Sequence, residues 1–200
     1  MNNSAYYEDL KSLAREKRVL HGVSTALFGL REVRKIYKAE GIRIDQWPLP
    51  WRIKALYMCD GDDCSVAIQK DLPYEPKLFA LVHELEHHYC DREDLGAGVI
   101  SSGDHNVNEA IEIGAEVFAA EFIYPAAEFA TDIAMLNIAT WGPREVVVLK
   151  RGCRAKVSYV YLAKRLEHLG LVSRGAFKSV QFKKLEEQMF GVPFYRRRRT

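Results

Sequence analysis

The 200-residue chain has few cysteines, no long apolar run and almost no acidic residues in its last quarter. No stretch approaches the ~20 apolar residues that a bilayer-spanning helix needs, so no membrane role is expected. The start, Met1-Asn2-Asn3-Ser4 followed by Tyr6, Tyr7 and Glu8, lacks the basic and apolar parts of a secretory signal. A cytoplasmic location is expected. The four cysteines, Cys59, Cys64, Cys90 and Cys153, include no C-x-x-C pair, which argues against a cysteine-based zinc site. Cys59 and Cys64 flank the turn-like Asp60-Gly61-Asp62-Asp63 and could face each other across two strands, although reduced thiols are the expectation in a cytoplasm. Residues 150–200 hold 14 Lys/Arg against 3 Asp/Glu and end in Arg196-Arg197-Arg198-Arg199. Such a basic segment suits a solvated tail, and also nucleic acid or an acidic protein.

With 48% hydrophobic and 28% charged residues the chain reads as a globular protein of one or two domains. Helices are predicted over 4–18 and 23–40, the latter with Val23, Leu27, Leu30, Val33 and Ile36/Tyr37 on one face and Gly41 as its stop. Ile42-Arg43-Ile44-Asp45 alternates as a short strand, broken by Trp47-Pro48-Leu49-Pro50. Runs 52–59 and 64–69 form a hairpin around Asp60-Gly61. A helix with an apolar stripe of Leu78, Val82, Leu85 and Tyr89 starts at Glu75-Pro76. Residues 91–107 make a long connection that would rim a cleft. Further helices are predicted at 108–124, 126–138, 143–152, 158–169 and 179–190. The fold class is α+β: helices around a small antiparallel three-stranded sheet, then a helical C-terminal subdomain.

The motif that carries chemistry is His83-Glu84-Leu85-Glu86-His87, an H-E-x-x-H pattern. On a helix, residues four apart differ by only about 40° around the axis, so His83 and His87 can hold one metal from successive turns. Glu84 lies about 60° from His87, within reach of a metal-bound water. This is the arrangement that zinc hydrolysis needs, with Glu84 as base. A catalytic zinc takes a third protein ligand. The extended pattern H-E-x-x-H-x-x-G-x-x-H is absent, because Cys90 and Glu93 stand where Gly and His would be. The remaining candidates are His88, His105, Glu112, Glu116 and distant carboxylates. His88 should point away, about 100° from His87. Glu112 and Glu116 share a helix face, and either could reach the ion. Tyr89, Tyr124, His105 and His88 are the oxyanion candidates by type.

The segment Glu112-x-x-Ala115-Glu116-x-Phe118-Ala119-Ala120-x-Phe122-Ile123-Tyr124-Pro125 resembles the second signature of the ImmA/IrrE family of metallo-endopeptidases. Residues 41–50 resemble that family's lead-in to its sheet. Three positions depart from the pattern: Glu86 for Gly, Glu116 for Asn and Tyr124 for Met. Glu86 is expected to add negative charge near the cleft. The resemblance implies Glu112 as third ligand beside His83 and His87, Zn²⁺ as cofactor, and Glu84 as catalytic base. It implies a zincin-like metallopeptidase domain at 1–125, a helical subdomain at 126–192 and a basic tail at 193–200. It also implies endopeptidase action on a helix-turn-helix transcriptional repressor. Lys156 to Leu171 resembles the latter part of a helix-turn-helix. The alternatives are therefore a non-cleaving DNA-binding regulator or a metal-bearing but silent partner protein.

Overall fold

The computed structural model describes residues 3–50, 52–93 and 105–191. Most of the predicted connection and the arginine tail lie outside these residues. The chain divides into two compact units, Met1–Pro125 and Ala126–Thr200.

The first unit contains helices α1 (Asn3–Leu20) and α2 (Leu30–Ala39), strands β1 (Arg43–Trp47), β2 (Ala55–Asp60) and β3 (Asp63–Gln69), then α3 (Tyr74–Cys90) and α4 (His105–Ile123). The α+β class and the small three-stranded sheet agree with the sequence reading. The sheet is mixed, however, and not antiparallel throughout. Its order is β1-β3-β2: β2 pairs antiparallel with β3, and β1 pairs parallel with β3. The tight turn at Gly61, whose φ of +58° suits glycine, makes β2 and β3 antiparallel neighbours. The proline-bearing link after β1 then carries β2 past the site of β3. The end of β3 is pinned to both neighbours, with Gln69 N–H on Lys54 O and Lys70 N–H on Trp47 O. β3 is therefore central, and Cys64 to Ile68 are all buried.

Cys59 and Cys64 are register partners with Cα atoms 4.1 Å apart, and their sulfurs are joined as a disulfide. Reduced thiols were expected, and the turn that sets the register brings the two together. Cys90 and Cys153 are free thiols.

The second helix starts at Leu30 and not at residue 23. Thr25 accepts a 2.8 Å hydrogen bond from the buried Arg18, and Phe28 is buried against Phe122 at 5.4 Å between ring centroids. Gly29 follows, where a Cβ would lie 2.2 Å from the Tyr74 hydroxyl. These tertiary anchors hold 23–29 as turns and leave Leu27 exposed. α2 then buries Val33, Ile36 and Tyr37, and the Tyr37 hydroxyl donates to Leu81 O of α3 at 2.7 Å.

α3 buries Leu78, Leu81, Val82 and Leu85. It begins at Tyr74, so Pro76 falls within the first turn, where its missing N–H costs no helical bond. α1 packs closely on α4. Gly114 of α4 makes room for it: a Cβ there would meet Tyr6 Oη at 2.7 Å and Leu10 Cδ1 at 2.8 Å.

The second unit holds α5 (Ala126–Leu136), α6 (Pro143–Gly152), α7 (Tyr159–His168) and α8 (Phe182–Phe190). Its core includes Phe129, Val146, Val147, Leu162 and Leu166. Buried Glu186 accepts from the Tyr159 hydroxyl at 2.9 Å and pairs with Arg151 at 3.3 Å. Among the described residues no helix is long and apolar enough to cross a membrane.

Candidate metal centre

His83 and His87 project from successive turns of α3, with their Nε2 atoms 3.3 Å apart. Burial of the helix beside the sheet restricts both rings; their side chains are only 15% and 10% exposed. α4 runs against α3 and brings the Glu112 carboxylate to them. Its Oε2 lies 3.3 Å from His83 Nε2, and its Oε1 lies 3.8 Å from His87 Nε2. Two imidazole nitrogens and one carboxylate are a suitable donor set for a catalytic zinc. Ligand bonds of about 2.0–2.1 Å span a tetrahedral edge of roughly 3.3 Å, so the observed separations fit the ion with little movement. Hydrogen bonding to His83 holds the Glu112 carboxyl below its ordinary pKa, against the opposing effect of burial.

Glu84 is buried beside this group. Burial raises its pKa, while His83, His87 and the Tyr57 backbone N–H, which donates to its carboxylate, pull it down. Glu112 adds a smaller upward push. The group opens onto a cleft of about 500 Å³ bordered by β2, Phe79, Ile111 and Glu116.

His87 is held from behind by a residue that motif reading missed. Asp91 Oδ2 accepts from His87 Nδ1 at 2.8 Å, and both side chains are buried. The available signal was spacing, since Asp91 follows His87 by four at the C-cap of the same helix. Burial disfavours the His87 imidazolium, yet the Asp91 hydrogen bond and the Glu84 and Glu86 carboxylates keep its pKa above the ordinary value. Glu86 was expected near the cleft. It lies instead on the rear of α3, fully buried, with Oε2 3.4 Å from His87 Nδ1. Its position about 100° from His87 around the helix turns it away from the opening. Burial first, and Asp91 next, push its pKa up to about 8.

The other candidates are dispersed. His88 Nδ1 meets the Tyr57 hydroxyl at 2.9 Å, away from the three donors. The Tyr89 hydroxyl donates to Glu40 at 3.0 Å, and Tyr124 is buried in the core. Glu116 lines the cleft one turn beyond Glu112 but is not among the three clustered donors. The His105 side chain lies outside the described residues.

Residues 38–167 match the model of the IrrE N-terminal-like domain, a peptidase family. The chain belongs to this family. The matched region contains α3 and α4 and runs on through most of α7. The IrrE-like chain thus carries a metallopeptidase-like domain, and its family implies a metal. A Mycobacterium tuberculosis transcriptional regulator shares the fold, with a TM-score of 0.57 and 22% identity over 84% of this chain. The chain spans 49% of that regulator's length. No curated protein matches the chain.

Proposed function

We propose that this IrrE-like protein is a zinc-dependent endopeptidase acting on a specific protein substrate. The observation that carries the reading is the convergence of His83, His87 and Glu112 at zinc-compatible spacing with Glu84 alongside. His83, His87 and Glu112 would hold the ion. A bound zinc supplies Lewis acidity, lowering the pKa of water and polarising a carbonyl. Glu84 accepts the proton of the attacking water and delivers it to the leaving amine. The Tyr57 N–H keeps the Glu84 carboxylate aimed while it waits. β2 borders the cleft and is an edge strand, so an extended peptide can add to the sheet there.

The substrate we propose is a helix-turn-helix transcriptional repressor, on the strength of the ImmA/IrrE resemblance. The test is incubation of the zinc-loaded protein with purified repressor encoded beside it, followed by mass spectrometry of the products. Cleavage at one site, absent in Glu84→Gln with its metal retained, supports the reading. Equal cleavage by both proteins removes Glu84 from its role.

A second reading, a non-cleaving regulator that binds duplex DNA through the segment Lys156–Leu171, draws on the M. tuberculosis protein being a transcriptional regulator and on the basic residues 150–200. A salt-sensitive mobility shift would favour it, and no shift at low salt would dismiss it.

A further inference from the structure

We infer that Asp91 is a positioning residue for His87: it selects the Nδ1–H tautomer and turns Nε2 to the metal, with Glu86 as a reserve acceptor. The inference rests on the ligand assignment proposed above.

Asp91 grips His87 twice. Its backbone N–H donates to His87 O at 3.0 Å, which closes the last turn of α3. Its carboxylate accepts a hydrogen bond from Nδ1 at 2.8 Å. The first contact fixes where the second can form, because Asp91 caps the helix that carries His87. A neutral imidazole has one N–H. With that hydrogen on Nδ1, the Nε2 lone pair faces His83 Nε2 and Glu112. The other tautomer would set the Nδ1 lone pair against the Asp91 carboxylate 2.8 Å away. It would also remove the nitrogen lone pair from the donor set.

Glu86 lies 3.4 Å from the same Nδ1, fully buried, and neither of its oxygens makes a hydrogen bond of normal geometry. A buried carboxyl without such a bond is costly. A small side-chain movement would bring it onto the Nδ1 hydrogen if Asp91 were removed. The rear of His87 therefore carries one engaged acceptor and one close behind it.

Nitrogen NMR of histidine-labelled, metal-free protein, at a pH high enough to leave His87 neutral, reads the tautomer directly, and zinc titration reads its consequence. Wild type should show Nδ1–H at His87. Asp91→Ala should weaken zinc binding by up to about 10–100-fold, the usual effect of losing an outer partner of a metal histidine. Asp91→Asn, which keeps an accepting oxygen, should retain the Nδ1–H signature and recover most of the affinity. Asp91→Ala combined with Glu86→Ala should lose more than Asp91→Ala alone. An Nε2–H tautomer in wild type overturns the inference without need of any variant. Unchanged tautomer and zinc affinity in a folded double variant overturns it as well. Wild type that shows Nδ1–H but binds no zinc would sink the ligand assignment while leaving the tautomer selection standing.

Discussion

Glu84 and Glu86 stand two residues apart on α3, both buried, and face opposite sides of the helix. Glu84 lies on the cleft side, where burial raises its pKa and the two histidines and the Tyr57 N–H offset part of that rise. Glu86 lies on the rear, beside Asp91, and is held near a pKa of about 8. Burial thus raises both carboxyls, and their neighbours offset the rise at Glu84 and add to it at Glu86. One side of the helix has donors and a cleft; the other has a second acid. Burial alone does not make a buried glutamate a base. It needs partners that favour its charge without consuming it.

The largest effect is expected at Glu84. Glu84→Gln should keep its metal and lose about 10²–10⁴-fold in peptide hydrolysis, measured as kcat on a cleavable substrate. Turnover within a few-fold of wild type would place the base elsewhere. Next, Glu112→Ala should lower zinc affinity by more than the roughly 10–100-fold expected for loss of an outer partner. Elemental mass spectrometry of purified protein beside His83→Ala checks this, and full zinc in Glu112→Ala would move the third ligand to another residue.

The rear side can be opened at Gly114, which lets α1 and Tyr6 approach α4. Gly114→Ala should destabilise by about 1 kcal/mol, the overpacking cost less the gain in helix propensity. A urea midpoint at or above that of wild type would mean that Tyr6 and Leu10 move aside freely. A pH-dependent effect is expected at Glu86 in the metal-free protein. Its folded pKa is raised, so its contribution to stability is present below the unfolded value near 4.5 and is lost as pH climbs toward about 8. Glu86→Gln has no such loss. Its Tm should gain on wild type progressively across that window, and the gain should level off above it. Parallel Tm curves from pH 4.5 to 8 would show that Glu86 is not held neutral.

Much of the fold was legible because its signals are local. The 3.6-residue stripe of α3 and the turn at Asp60-Gly61 need only neighbouring residues to be read. The start of α2 was not legible, because Arg18, Phe122 and Tyr74 hold residues 25–29 from distant parts of the chain. The parallel pairing of β1 was hidden for a related reason. Alternation marks a strand but says nothing about which neighbour it takes. At the site, His83, Glu84 and His87 were nameable from spacing, whereas Glu112 entered through resemblance of its helix to a family signature. Asp91 went unnamed because an aspartate after a helix is usually a solvated cap. The expected reduced state of Cys59 and Cys64 came from compartment, and it yielded to a register that sets the two side by side.

By itself the sequence determined the helix periods, the hairpin turn and the two histidines on one helical face, since these follow from backbone geometry over a few residues. Tertiary structure alone decided the strand order, the 3.3 Å approach of Glu112 to His83, and the opposite fates of Glu84 and Glu86. The physical reason is that distance and desolvation depend on what packs against a residue, and those partners come from anywhere in the chain.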